Sequence, residues 1–289
     1  MDSFLAFVHH LLEPIPQYVL GCLPALATIG AAPMENFLHK LIWVAICLGC
    51  PFTGLFYTCI IPNDELPIFW LPKIWHHSAS MLRLEEECTA NASVLERLSS
   101  LASLYYISIG IIAGISRALG PSFCEDWPYI PMALSWTLPA IFRRIVHGKL
   151  LVRDPRKKLG NRRKIFVRKF EHEEYKVFIH TQVVITALAS TTVPWLTVLL
   201  AYYTPPIGYF CRSIYLTVIC SIWSFNNIVG YIHHWLEEKN KIADQIIAVW
   251  FFICGVMIAI LLFFLVLLSK QPSWWVNLFG NACASCNSM

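Results

Sequence analysis

Runs of acids follow His76-His77 and His233-His234 in this chain: Glu85-Glu86-Glu87 after the first pair and Glu237-Glu238 after the second. His233 with Glu237, and His234 with Glu238, are four residues apart, which puts each pair on one face of a helix. An imidazole beside a carboxylate can ligate a metal or pass a proton, so His233, Glu237, His76 and His77 are the candidate catalytic residues. Neither HxxxH nor HExxH spacing accompanies them, so no metal site is expected, and the ordinary role of such side chains is to sit solvated at a surface. No histidine follows His234. That argues against membrane desaturases, which need several histidine boxes, and against seven-span hydrolases of the progestin and adiponectin receptor type, which need zinc-binding histidines near the last helix.

A second set of residues is polar without being ionisable. Gln182, Thr186 and Ser190 recur every four residues, and Ser213, Thr217, Ser221, Ser224 and Asn227 recur at intervals of four, four, three and three. At helical spacing each set shares a face. Between two membrane helices such stripes line a hydrophilic path or a binding cleft. The same residues equally serve interhelical hydrogen bonds, worth only about 0.6 kcal/mol each on average. No ionisable residue accompanies either stripe in mid-span, where a charge would mark a functional site by itself.

A third set is cationic. The segment from Arg143 to Lys176 carries 13 of the 22 Lys and Arg residues and four acids, a net +9 in a chain that is +4 overall. Within it Arg156, Lys157, Lys158, Arg162, Arg163 and Lys164 are placed to contact anionic lipid headgroups, at roughly 1 kcal/mol per charge near the surface.

The elements that must hold these residues follow from composition. At 57% hydrophobic and 14% charged, with the apolar residues in runs, the chain reads as a multi-pass membrane protein. A span needs roughly 20 apolar residues to cross a hydrocarbon core about 30 Å thick. Leu41 to Ile61 qualifies, kinked at Pro51, as do Leu101 to Leu119, Trp127 to Ile145, Val177 to Tyr203, Gly208 to Tyr231 and Ile246 to Leu268. Tyr18 to Ala32 is short and carries Pro24, so the expectation is an all-α polytopic bundle of seven spans, or six without that segment. Gly110 and Gly114 give the third of the seven a small-xxx-small face for close helix approach. Ile246 to Leu268, almost without polar atoms, is expected to face lipid, with Trp274 and Trp275 in the interfacial aromatic belt. The polar intervals are too short to bury a soluble core, so chemistry must lie in the bundle or at its mouths. The chain is read as one transmembrane domain.

Placing the basic loop on the cytoplasmic side puts 18 Lys and Arg residues inside and four outside, and leaves the C-terminus non-cytoplasmic. Asn91-Ala92-Ser93, a glycosylation sequon in form, then falls inside and is expected to be silent. Six of the 11 cysteines lie in apolar runs, where a thiol behaves as a small buried hydrophobe, and Cys283 and Cys286 suit a terminal disulfide.

The runs Ala133 to Arg144 and Ser221 to Asn227 resemble segments of multi-pass membrane proteins from filamentous fungi, a resemblance that carries no activity with it. From the residues themselves, the leading expectation is transport, channel activity or sensing of a small solute along the polar stripes. An intramembrane enzyme acting on a lipid or terpenoid would use the histidines and acids instead, and a scaffold subunit would use the basic loop. The partner is the lipid bilayer, not nucleic acid, and the residues name no cofactor, substrate, organelle or oligomeric state.

Overall fold

Prolines and polar side chains decide where the helices of this protein stop. A computed structural model describes residues 37–59, 89–119, 129–151, 173–204, 208, 211–236 and 241–269. Its elements in order are α1 (Phe37–Gly49), α2 (Pro51–Cys59), β1 (Thr89–Asn91), α3 (Val94–Leu119), α4 (Tyr129–Ala133), a 3-10 turn (Ser135–Thr137), α5 (Leu138–His147), β2 (Lys149–Leu151), α6 (Glu173–Tyr203), α7 (Cys211–Leu236) and α8 (Lys241–Ser269). The described chain is thus almost entirely helical. Four of these helices are long and apolar enough to cross a membrane: α3 over Val94–Ser116, α6 over Val183–Tyr203, α7 over Ser213–His233 and α8 over Gln245–Phe263.

The run expected as one kinked span from Leu41 to Ile61 is two helices with Cys50 between them. Pro51 has no amide hydrogen and sits at the first position of α2, where that lack does least harm. The run from Trp127 to Ile145 is likewise not one continuous helix. Thr137 turns its hydroxyl onto the Leu134 carbonyl at 2.7 Å, and Pro139, near the start of α5, has no amide hydrogen to continue the preceding turn. The segment 18–32, residues 152–172 of the basic segment and the C-terminal tail lie outside the described residues.

Helix α3 starts seven residues before the apolar run suggests, because Ser93 and Glu96 form a capping box. The Glu96 carboxylate accepts from the Ser93 amide at 2.8 Å and from its hydroxyl at 2.9 Å, while the Glu96 amide donates to Ser93 Oγ at 3.3 Å. Just before it, β1 pairs antiparallel with β2, Asn91 opposite Lys149, and Ala92 N–H donates to the Gly148 carbonyl at 2.6 Å. Gly148 makes this closure possible with a φ of 59°, a left-handed conformation that glycine adopts freely; a side chain there would also strike the Arg97 guanidinium. This small ribbon is the departure from an all-α chain, and it ties the start of α3 to the end of α5. Arg144 in α5 is buried, with Glu96 as a charge acting on it.

Helices α6 and α7 form a hairpin, and α8 lies along α1. One buried core joins them: Leu48 of α1, Leu55 of α2, Tyr129 and Ile130 of α4, Val198 and Ala201 of α6, Leu216, Ile219 and Trp223 of α7, and Ile258 of α8. Trp136 of the 3-10 turn stands edge-on to Trp223, ring centroids 6.1 Å apart. Lipid is as apolar as these side chains, so hydrophobicity alone does not choose one helix partner over another; close fit and hydrogen bonds do. The tightest fit is between α1 and α8, where a methyl group added to Gly49 would collide with the Phe251 carbonyl and one added to Gly255 with the Ala45 carbonyl. On α3, Gly114 sits against Met132 of α4, but there an added methyl would meet the flexible side chain and not the backbone. The last span is therefore not lipid-facing all round. Phe251, Cys254, Ile258 and Leu262 are buried, while Ile246, Val249, Ile253, Met257, Ile260 and Phe263 are exposed.

Candidate functional site

The helix break between α1 and α2 sits inside the bundle, and breaking a helix there leaves backbone groups to be satisfied. In an unbroken helix the Leu48 carbonyl would accept from Phe52 and the Gly49 carbonyl from Thr53. Here Phe52 N–H donates to Asn227 Oδ1 at 2.9 Å, and Thr53 N–H turns back to the Cys50 carbonyl at 3.0 Å. The two carbonyls take side-chain donors from α7 instead: Trp223 Nε1 donates to Leu48 O at 2.6 Å, and Asn226 Nδ2 to Gly49 O at 2.7 Å. Three groups displaced by one proline are thus met by three side chains of one helix turn. Each would otherwise be a buried unpaired polar group, a penalty of about 1–3 kcal/mol.

The same two asparagines reach further. Asn226 Oδ1 accepts from Trp250 Nε1 of α8 at 2.9 Å. Asn227 Nδ2 donates to the Ser190 carbonyl of α6 at 3.1 Å and to Thr191 Oγ1 at 3.3 Å. Ser190 O is the carbonyl that would have bonded residue 194, and residue 194 is proline, inside α6. Asn227 therefore satisfies an amide displaced by Pro51 and a carbonyl left by Pro194. Both asparagines are fully buried. The Cys50 thiol also faces them, donating to Asn226 O at 3.4 Å. The network lies within about two helical turns, on the order of 10 Å, of the ends of the α6, α7 and α8 spans.

The expected stripe residues divide around this network. Asn227 belongs to it directly, and Ser190 through its carbonyl. Ser224 accepts from Trp195 Nε1 at 2.8 Å, a further tie between α6 and α7. Ser190, Ser213 and Thr217 turn their hydroxyls onto main-chain carbonyls of Ala187, Gly208 and Ser213 at 3.1, 3.1 and 2.6 Å. Thr186 of α6 is buried; on α7 Ser221 is exposed while Ser213 and Asn227 are buried, so the α7 stripe does not present all its members to one neighbour. Gln182 lies in α6, its side chain outside the described residues.

His233 is half-buried near the end of α7. Its companions His76, His77 and Glu237 lie outside the described residues, as do Arg156, Lys157, Lys158, Arg162, Arg163 and Lys164. Among the described residues no group of three His, Cys, Asp or Glu gathers to hold a metal.

Sequence reasoning passed over Asn226, Trp223, Trp195 and Trp250. A signal for part of this existed: two adjacent asparagines in an apolar run must both find partners, and two prolines in neighbouring spans supply orphaned backbone groups. Compared with protein-family models, with curated proteins and with solved structures, the chain matches none.

Proposed function

We propose that this membrane protein moves or senses a small solute, with the broken helix α1–α2 as its working element. The observation that carries this is the break at Cys50–Pro51, kept inside the bundle and supported by Trp223, Asn226 and Asn227. A continuous helix would satisfy the same backbone groups without help from side chains, so a purely structural subunit gains nothing from the break. Discontinuous helices at membrane depth recur where a solute path passes, because their ends present backbone dipoles and allow the two halves to move separately.

The same reading sets the orientation. The basic loop is cytoplasmic, in contact with anionic headgroups, and the C-terminus is on the other side, as the 18 to 4 distribution of Lys and Arg favours. The network then lies on the cytoplasmic side of the midplane.

The test is flux into liposomes holding the purified protein, with urea, glycerol, glucose, Na+, K+ and Cl− as separate probes. The expected result is passage of at least one probe above that of protein-free liposomes, lost or strongly reduced in Pro51→Ala. Absence of flux for all six, together with no probe that raises the Tm of the wild-type protein, overturns the reading.

A further inference from the structure

The two adjacent asparagines do not hold the same part of the molecule, and this divides the bundle. Asn226 bonds Gly49 of α1 and Trp250 of α8; Asn227 bonds Phe52 of α2 and Ser190 of α6. Helix α1 is joined to α8 by backbone-to-backbone contact at Gly49 and Gly255, too tight to slide without separating. Helix α2 packs instead against α6 and α7. Two bodies result, α1 with α8 and α2 with α6, both packed on α7 across the shared core, and the chain passes from one to the other at Cys50, where direct helical hydrogen bonding between the halves is interrupted.

We infer that Cys50–Pro51 is a hinge about which the α1–α8 body rotates against the α2–α6 body, with the Asn226–Asn227 pair of α7 as its two pins. A helix with its ladder intact resists bending because each turn is bonded to the next. Here the Phe52 amide and the Gly49 carbonyl are bonded to side chains, whose torsions let each pin follow its own body while keeping its bond. Hinges are a few residues at element ends that absorb the change in backbone angles, and Cys50, the one residue between α1 and α2, is such a position. The inference rests on the solute-moving reading for its purpose, but its test needs no solute.

Spin labels carried on ketone-bearing unnatural residues at Leu188 of α6 and Met257 of α8, both exposed, report the distance between the bodies and leave the native cysteines alone. In nanodiscs, pulsed electron resonance on the wild type is expected to show two distance populations. Asn227→Ala should change their ratio at least twofold by releasing one pin, and Pro51→Ala, which restores an amide donor at the break, should collapse them to one. Amide exchange gives a second reading that survives if a variant fails to fold: in the wild type the amides of Phe52 and Thr53 should exchange at least tenfold faster than those of Val44 to Leu48. A single narrow distance in the wild type, or equal exchange on and off the break, overturns the hinge. Two populations with neither flux of any probe nor a probe that raises the Tm would leave the hinge standing and remove the solute reading; flux with a single distance would do the reverse.

Discussion

Asn227 donates to the carbonyl of Ser190 that Pro194 leaves unbonded, so a side chain of α7 completes the hydrogen-bond ladder of α6. The same amide group accepts from Phe52, beyond the break made by Pro51. One residue thereby compensates two prolines in two other helices, and its removal should be felt at both.

Asn227→Ala is expected to lower stability by about 2–4 kcal/mol, the sum of two buried groups left unpaired at roughly 1–2 kcal/mol each. Pro194→Ala supplies a helical donor for Ser190 O, so in that background the penalty of Asn227→Ala should shrink by about 1 kcal/mol. Unfolding of the four proteins of this double-mutant cycle in detergent measures the difference. Strictly additive effects would show that the Asn227 to Ser190 bond carries no energy.

Trp136 and Trp223 are buried and face each other edge-on, but only one of them has work for its N–H. Trp223 Nε1 holds the Leu48 carbonyl, whereas Trp136 Nε1 has no acceptor among the described residues. Phenylalanine at position 223 should therefore destabilise the protein by about 1–3 kcal/mol more than phenylalanine at 136, since it also strands a buried carbonyl. Thermal unfolding of the two single variants is sufficient to check the order.

Glycine-to-alanine changes should separate backbone contacts from side-chain contacts. At Gly49 and Gly255 the added methyl meets a carbonyl of the facing helix, and α1 must move off α8; at Gly114 it meets the flexible Met132 side chain. Losses of about 3 kcal/mol or more are expected at the first two and about 1 kcal/mol at the third. Melting temperatures and yield of folded protein give the comparison.

Glu96 serves both as cap for α3 and as a charge acting on buried Arg144. Glu96→Gln keeps the hydrogen bonds of the capping box and removes the charge, whereas Glu96→Ala removes both. If the cap contributes the usual ~1 kcal/mol, Ala should be worse than Gln by about that amount. Equal loss in the two would assign the whole effect to the charge on Arg144.

Orientation is tested directly by single cysteines at Lys158 and at Asn281 in a cysteine-free background. An impermeant thiol reagent should label them from opposite sides of the membrane. Labelling of both from one side would overturn the assignment that the distribution of Lys and Arg supports.

The sequence by itself determined that this is a helical membrane protein, because long apolar runs have no other stable form in lipid, where every backbone group must be bonded within the segment or nearby. It also determined that Pro51 disturbs the run from Leu41 to Ile61, since a residue without an amide hydrogen interrupts the ladder of any apolar run it falls inside. Ser93 and Glu96 already spelled the start of α3, a local signal concealed by the more apolar run that begins at Leu101. What only the tertiary structure decided is which polar atom meets which. Ser190 read as part of one hydrophilic stripe, and Ser224 and Asn227 as part of a second, because spacing reports the face of a helix and nothing of what stands opposite. Whether Asn227 faced a solute path or the broken backbone of α2 depended on the approach of a residue, Phe52, 175 positions away in sequence. The short β1–β2 ribbon escaped notice for the same reason: three-residue strands carry little pattern, and their pairing across nearly sixty residues is decided by the helices that bring them together.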